Sequence, residues 1–160
     1  MSDEVETWNG PFHRRLIAKG EYGELSKVRE EVEEGLDALE QGQLLMFSVE
    51  LSDILGALNG VAEKHFDKTI EEYLDPNFEP VLNELDFASR EAYIEKSKNL
   101  LEMLEHLLKL SEVSEPKEDI IKGILQPIVI MASRFNLSFK DLNDFAILRS
   151  KVARHAIENS

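Results

Sequence analysis

Apolar residues recur at helical spacing from Leu25 to Ala62, and one break at residues 41–43 interrupts the pattern. On each side of the break they fall three or four positions apart, as on one face of an α-helix. This pattern predicts helices over residues 21–41 and 43–64 that fold back on each other as an antiparallel pair. The apolar residues are Leu25, Val28, Val32, Leu36 and Leu39 on the first helix, and Leu44, Phe47, Leu51, Ile54, Leu55, Leu58, Val61 and Ala62 on the second.

The rest of the chain also favours helices, and no segment alternates as a strand would. We expect a loose arm over residues 1–10 and a kink at Pro127. The other predicted elements are a helical turn within residues 12–19, a short helix over residues 70–74 with Thr69 and Glu72 as a capping box, and long helices over residues 89–110, 115–134 and 138–158. The sequence therefore predicts an all-α bundle, organised around the antiparallel pair, as one domain over residues 1–160.

The two halves of the chain resemble each other. Aligning Phe66 with Phe135 also brings Glu50 to Asp119, so that helix, break and cap recur in the same order. One interpretation is a tandem repeat, residues 20–75 and 89–145, whose second copy has Leu100, Met103 and Lys122 where the first has Glu31, Glu34 and Asp53. The alternative is that any two amphipathic helix pairs would align this well.

Charge and composition exclude several kinds of partner and binding site. The chain of 160 residues has a net charge of −14, which argues against a nucleic acid polymer or a membrane surface as partner, since both are anionic. It has no cysteine, which excludes disulfides and thiolate zinc sites. The absence of a long apolar run or a signal-peptide core at the start makes a cytoplasmic location the expectation.

Four carboxylates occupy matching places on the two predicted helices. Glu31 and Glu34 fall at the edge of the first apolar stripe, and Glu50 and Asp53 stand in the same relation to the second. If the stripes pack together, all four carboxylates reach the same flank. Four hard oxygen ligands favour a Mg²⁺ site. The alternative is a solvated acidic face, as on a non-catalytic helical adaptor.

These residues also carry a family resemblance. The pattern E-E-x-x-E followed by E-x-x-D, formed by Glu30, Glu31, Glu34, Glu50 and Asp53, resembles the MazG-like all-α nucleoside triphosphate pyrophosphatase superfamily, which includes the dimeric dUTPases. The resemblance is specific over residues 20–65 and looser near the end of the chain. It implies Mg²⁺-dependent hydrolysis of a (d)NTP to a (d)NMP and pyrophosphate. Glu31, Glu34, Glu50 and Asp53 would hold Mg²⁺, with Mn²⁺ as a substitute, and Glu30 would orient or deprotonate the attacking water.

Basic residues provide candidate contacts to the phosphates. Lys27 lies on the same flank as the carboxylates and would either contact phosphate or pair with a neighbouring glutamate. His13 and Arg14 belong to the most basic spot of the first half, where the alternative is a plain helix surface. The resemblance adds Arg149 and Arg154, since basic residues late in family members bind phosphates.

The resemblance implies a nucleotide substrate and a homodimer or homotetramer. Within the same superfamily, a dUTP- or dCTP-type diphosphatase is the alternative, and the apparent repeat favours it because dimeric dUTPases look like fused repeats. From a different class, the non-catalytic acidic adaptor stays open.

Overall fold

Helices form most of the part of the chain that the structure, a computed structural model, describes: residues 7–8, 15–74, 89–112, 115–135, 137 and 140–147. Its elements are strands β1 (Thr7–Trp8) and β2 (Ile17–Ala18), helices α1 (Leu25–Glu40), α2 (Leu44–Phe66), α3 (Arg90–Ser111), α4 (Glu118–Ala132) and α5 (Lys140–Ile147), and 3-10 turns at Ile70–Tyr73 and Ser133–Phe135. The predicted all-α class is confirmed.

Helices α1 and α2 form the expected antiparallel pair, and Gly42 makes the connection tight. Its φ of +70° lies in the left-handed region that glycine adopts without steric cost. The Gly42 N–H donates to Leu39 O at 3.0 Å, and the Gln43 N–H donates to Ala38 O at 2.9 Å. This double closure is the Schellman motif, which satisfies carbonyls that the end of α1 leaves free. The chain then reverses within three residues, so the two apolar stripes meet.

The core forms where α1 packs against both α2 and α3, and α4 packs against α2. Tyr93 of α3 ties the two halves together, because its hydroxyl donates to Met131 O at 2.8 Å while its ring lies edge-on to Phe47 and Phe135. Fully buried core residues include Val28, Val32, Leu36, Leu51, Leu55, Leu58, Leu101, Leu108, Ile121, Ile124 and Ile128. The Thr69 and Glu72 capping box is present as predicted.

The predicted helical turn within residues 12–19 is wrong. Ile17 and Ala18 are instead extended and pair antiparallel with Thr7 and Trp8, two residues that were expected to belong to a loose arm. A helix this short forms too few internal hydrogen bonds to offset its nucleation cost. The extended path buries Ile17, which is 2% exposed, and lets the Arg15 N–H donate to the buried carboxylate of Asp37 at 3.0 Å.

Other expectations differ at their edges or stay untested. Helix α4 begins three residues later than predicted and contains Pro127, and the last helix is described only over Lys140–Ile147. Helices α3 and α4 contact each other much less than α1 and α2 do. The tandem repeat over residues 20–75 and 89–145 stays a prediction.

By length and hydropathy alone, α2 could cross a membrane, and so could the bent pair Glu118–Phe135 and Lys140–Ile147 taken together. In the folded chain, 56% of the apolar window of α2 is buried, and core helices of soluble proteins meet the same criterion. The expectations of no membrane partner and of a cytoplasmic location therefore stay predictions.

Candidate metal centre

Five carboxylates from α1 and α2 converge on one flank of the helix pair. Their side-chain oxygens form two overlapping groups: Glu30, Glu31 and Glu34 on α1, and Glu31, Glu50 and Asp53 across the pair. Within each group, one oxygen from each residue lies within 4.8 Å of the others. Glu31 belongs to both groups and therefore lies at the centre of the cluster. The structure brings together the four predicted metal ligands and the predicted catalytic glutamate.

Burial sets this cluster apart from an ordinary acidic surface. Glu30, Glu31 and Glu50 are only 6–8% exposed, and Glu34 and Asp53 are half-buried. Acidic side chains are seldom buried unless they are paired or bind a cation. The Oε2 atom of Glu31 is fully buried, and no N–H or hydroxyl group among the described residues donates to it. A buried carboxylate oxygen of this kind fits a cation ligand.

The electrostatics of the cluster favour a bound cation for the same reason. Burial raises the pKa of Glu31 to about 9, with the charges of Glu34 and Asp53 adding to the effect and that of Lys27 opposing it. Burial also raises the pKa of Glu34 to about 7, helped by the charges of Glu50 and Glu30 and opposed by its hydrogen bond with Glu31. Like charges in a buried site cannot all ionise unless a positive charge compensates them. A divalent ion on hard oxygen ligands supplies that compensation.

Lys27 lies at one end of the cluster, one turn before the first glutamates. Its Nζ lies 3.0 Å from Glu30 Oε2 and 3.2 Å from Glu31 Oε1. Burial opposes its charge, but the charges of Glu31 and Glu30 outweigh burial and raise the pKa of Lys27. Of the two roles expected for this lysine, the structure contains the ion pair with a neighbouring glutamate. Contact with phosphate stays a prediction.

The backbone of the segment before α1 also reaches the cluster. The Gly20 N–H donates to Glu30 Oε1 at 2.8 Å, so both oxygens of Glu30 have a donor. A Cβ at residue 20 would lie 2.1 Å from Ser26 O, and only glycine permits that approach. Sequence reasoning missed this contact, because it depends on the path of a loop.

Gly35 lets the helices approach closely beside the cluster. A Cβ added there would lie 3.2 Å from Leu101 Cδ1 of α3 and 3.9 Å from Glu50 Cβ of α2. Gly35 follows Glu34 directly, so the two helices meet where their carboxylates face each other. A side chain at this position would therefore meet Leu101 of α3 too closely, while its contact with Glu50 would be an ordinary one.

A second set of buried charges lies on another side of α1 and was not expected. Glu33 is 8% exposed because α3 covers it. Arg29 donates to Glu33 at 3.4 Å and to both carboxylate oxygens of Glu112 at 3.1 Å. Burial raises the pKa of Glu33, with a hydrogen bond to Glu105 adding to it and Arg29 opposing it. This network joins α1 to α3 and lies outside the metal cluster.

The remaining candidate substrate contacts, His13, Arg14, Arg149 and Arg154, lie outside the described residues. Comparisons of the chain with protein-family models, with curated proteins and with solved structures found no match. The MazG-like resemblance therefore depends on the five acidic residues and their spacing alone.

Proposed function

We propose that this protein is a Mg²⁺-dependent nucleoside triphosphate pyrophosphohydrolase, which converts a (d)NTP and water to a (d)NMP and pyrophosphate. The observation that carries the proposal is the convergence of Glu31, Glu34, Glu50 and Asp53 on one flank of the α1–α2 pair, where Glu31 and Glu50 are buried. Their spacing matches the acidic pattern of the MazG-like superfamily. Mg²⁺ and Mn²⁺ both suit such an all-oxygen ligand set.

Burial argues against the adaptor alternative. Charged side chains that only keep a helix surface soluble are stable in water, and burying them in ionised form without a partner costs free energy. In this cluster the carboxylates lie between helices, and their mutual repulsion opposes folding. Residues that lower stability in this way are typical of functional sites, where a ligand compensates them.

Each part of the cluster has a distinct task in this proposal. Glu31, Glu34, Glu50 and Asp53 would hold the metal, which when bound neutralises phosphate charge and polarises the attacked phosphorus. Glu30 would take a proton from the attacking water, while the water oxygen bonds to phosphorus and the bond to the α–β bridging oxygen breaks. The Gly20 N–H fixes the orientation of the Glu30 carboxylate through Oε1. The other oxygen, Oε2, accepts from Lys27 Nζ at 3.0 Å and would take the proton once Lys27 moves away.

Pyrophosphate release tests the proposal. The purified chain is incubated with each canonical dNTP and NTP and with dUTP, in Mg²⁺ or in EDTA, and nucleoside monophosphate and pyrophosphate are quantified. We expect both products in equal amounts from at least one nucleotide, and only with Mg²⁺.

A pair of variants on the same helix makes the test specific to the cluster. Glu50→Gln removes a charge from the cluster and should lower turnover at least about 100-fold, the usual scale for losing a group that acts in the transition state. Glu63→Gln changes an exposed α2 glutamate that bonds only Asn59 among the described contacts, and it should retain turnover. Absence of pyrophosphate from every nucleotide, or equal rates in EDTA, would contradict the proposal.

A further inference from the structure

Lys27 places a positive charge inside the carboxylate cluster, at the side formed by Glu30 and Glu31. Its ammonium group bridges Glu30 Oε2 and Glu31 Oε1 at 3.0 and 3.2 Å. The side chains of both glutamates are 10% exposed, and that of the lysine is 28% exposed. The bridge is therefore well shielded from water, and salt screens it less than an exposed ion pair.

The two oxygens of Glu31 differ as a result. Oε1 is engaged by Lys27, whereas Oε2 is buried, and no N–H or hydroxyl group within the described parts of the chain donates to it. Glu31 also belongs to the group that includes Glu50 and Asp53, which come from the other helix. Glu31 thus pairs with Lys27 through Oε1, and its Oε2 is available to bind a metal ion.

Glu30 is in the opposite situation. Its Oε1 accepts from the Gly20 N–H at 2.8 Å and its Oε2 accepts from Lys27. Each carboxylate oxygen has a second lone pair, so a divalent ion that used Glu30 would bind beside these donors or displace one of them. It would also lie beside the lysine ammonium, and unscreened like charges at such distances repel strongly.

We propose that Lys27 is the resident counter-ion of the Glu30 side of the cluster, so that without substrate the centre binds one divalent ion, through the group of Glu31, Glu50 and Asp53. A second ion is kept away from Glu30 until Lys27 moves. A triphosphate brings the negative charge that draws Lys27 off, and the same movement frees Glu30 Oε2 to accept the proton of the attacking water. Lys27 is thus a positioning residue for Glu30 and sets the number of metal ions.

This inference rests on the metal centre of the proposed function, and Mn²⁺ counting separates the two. Free Mn²⁺ is measured by electron paramagnetic resonance while the chain is titrated without nucleotide, at an ionic strength that screens weak binding to exposed carboxylates. We expect one bound ion per chain for the wild type and two for Lys27→Met. Lys27→Arg keeps the charge and should bind one ion.

Two further variants complete the design. Lys140→Met removes an exposed lysine that pairs with Asp144 four residues later, as Lys27 does with Glu31, and it should still bind one ion. Lys27→Gln retains donors for both glutamates without the charge and should bind two ions, so the test survives if the methionine variant does not fold. Circular dichroism establishes folding for each variant.

The outcomes distinguish the two proposals. No bound ion in the wild type would overturn this inference and remove the metal centre from the proposed function. Two ions in the wild type, or one ion in a folded Lys27→Met or Lys27→Gln variant, would overturn the role of Lys27 and leave the proposed function standing.

Discussion

Replacing Glu31 with glutamine should stabilise the metal-free protein and remove its response to Mg²⁺. Glu31 lies at the centre of the cluster and is 7% exposed, and burial raises its pKa to about 9. Without a metal, this side chain therefore costs folding free energy at neutral pH. Glutamine has nearly the same shape but no charge to desolvate, so the cost disappears together with the ligand.

The size of the effect follows from the shifted pKa. The reference value is 4.5, so at pH 7 the unfolded chain carries an ionised Glu31 while the folded, metal-free protein keeps it protonated. Holding that proton costs about 3 kcal/mol. Glutamine cannot reproduce every hydrogen bond of the carboxylic acid, so we expect a gain of about 1–3 kcal/mol. For a chain of this size, the gain corresponds to a rise in Tm of about 3–10 °C.

Thermal unfolding in EDTA and in Mg²⁺ measures both parts of the prediction. Wild-type Tm should rise by about 5–10 °C when Mg²⁺ is present at about 100 times its Kd, because binding to the folded state alone then adds about 3 kcal/mol. Glu31→Gln should start higher in EDTA and respond little to Mg²⁺. The matched control, Glu102→Gln, changes an exposed glutamate of α3 and should behave as the wild type does.

Two results would refute this reasoning. A Glu31→Gln variant that is less stable than the wild type in EDTA would mean that the carboxylate contributes to folding without a metal. A variant that keeps the full Mg²⁺ response would mean that the ion binds elsewhere.

Four further predictions test separate parts of the account. In EDTA, the free energy of unfolding should fall as pH rises from about 5 to 9, because folded Glu31 retains a proton that the unfolded chain releases near its ordinary pKa of 4.5. Urea titrations at several pH values measure this free energy, and an increase with pH would contradict the prediction. Glu30→Gln should lower turnover at least about 100-fold while Mn²⁺ still binds, and unchanged turnover would remove its assigned role. Gly20→Ala should lower the free energy of unfolding in urea by about 1–3 kcal/mol, because the added methyl group would lie 2.1 Å from a backbone carbonyl oxygen of α1. The control Gly123→Ala has open space for its methyl group and should raise the free energy of unfolding by about 0.5–1 kcal/mol. Equal effects of the two substitutions would count against the close approach at Gly20. Arg29→Met leaves the buried Glu33 without its cation and should lower the free energy of unfolding in the same assay by about 2–4 kcal/mol. The stabilisation by Mg²⁺ should stay unchanged, and its loss would place Arg29 in the metal centre.

The helix pair could be predicted because a single physical feature fixes it. The apolar spacing defines the buried face of each helix, and Gly42 supplies the left-handed residue that reverses the chain. The flank occupied by Glu31 and Glu50 follows from their angle to those faces. The convergence of the carboxylates could therefore be predicted from the sequence alone.

The parts that sequence reasoning missed depend on contacts between distant segments. Gly20 reaches Glu30 through the path of a loop, and no periodicity encodes a loop path. Glu33 is buried because α3 packs against α1, and the periodicity of α1 alone does not reveal which helix covers that side. Ile17 lies in a strand pair of two residues, which is too short to produce an alternating pattern.

Crystals of the protein grown with Mn²⁺ and measured at an anomalous wavelength test the central claim most directly. We expect an anomalous peak at bonding distance from carboxylate oxygens of Glu31, Glu50 and Asp53, with Glu34 beside it. A fully occupied peak at another position, or no peak among these four residues at saturating Mn²⁺, would contradict it.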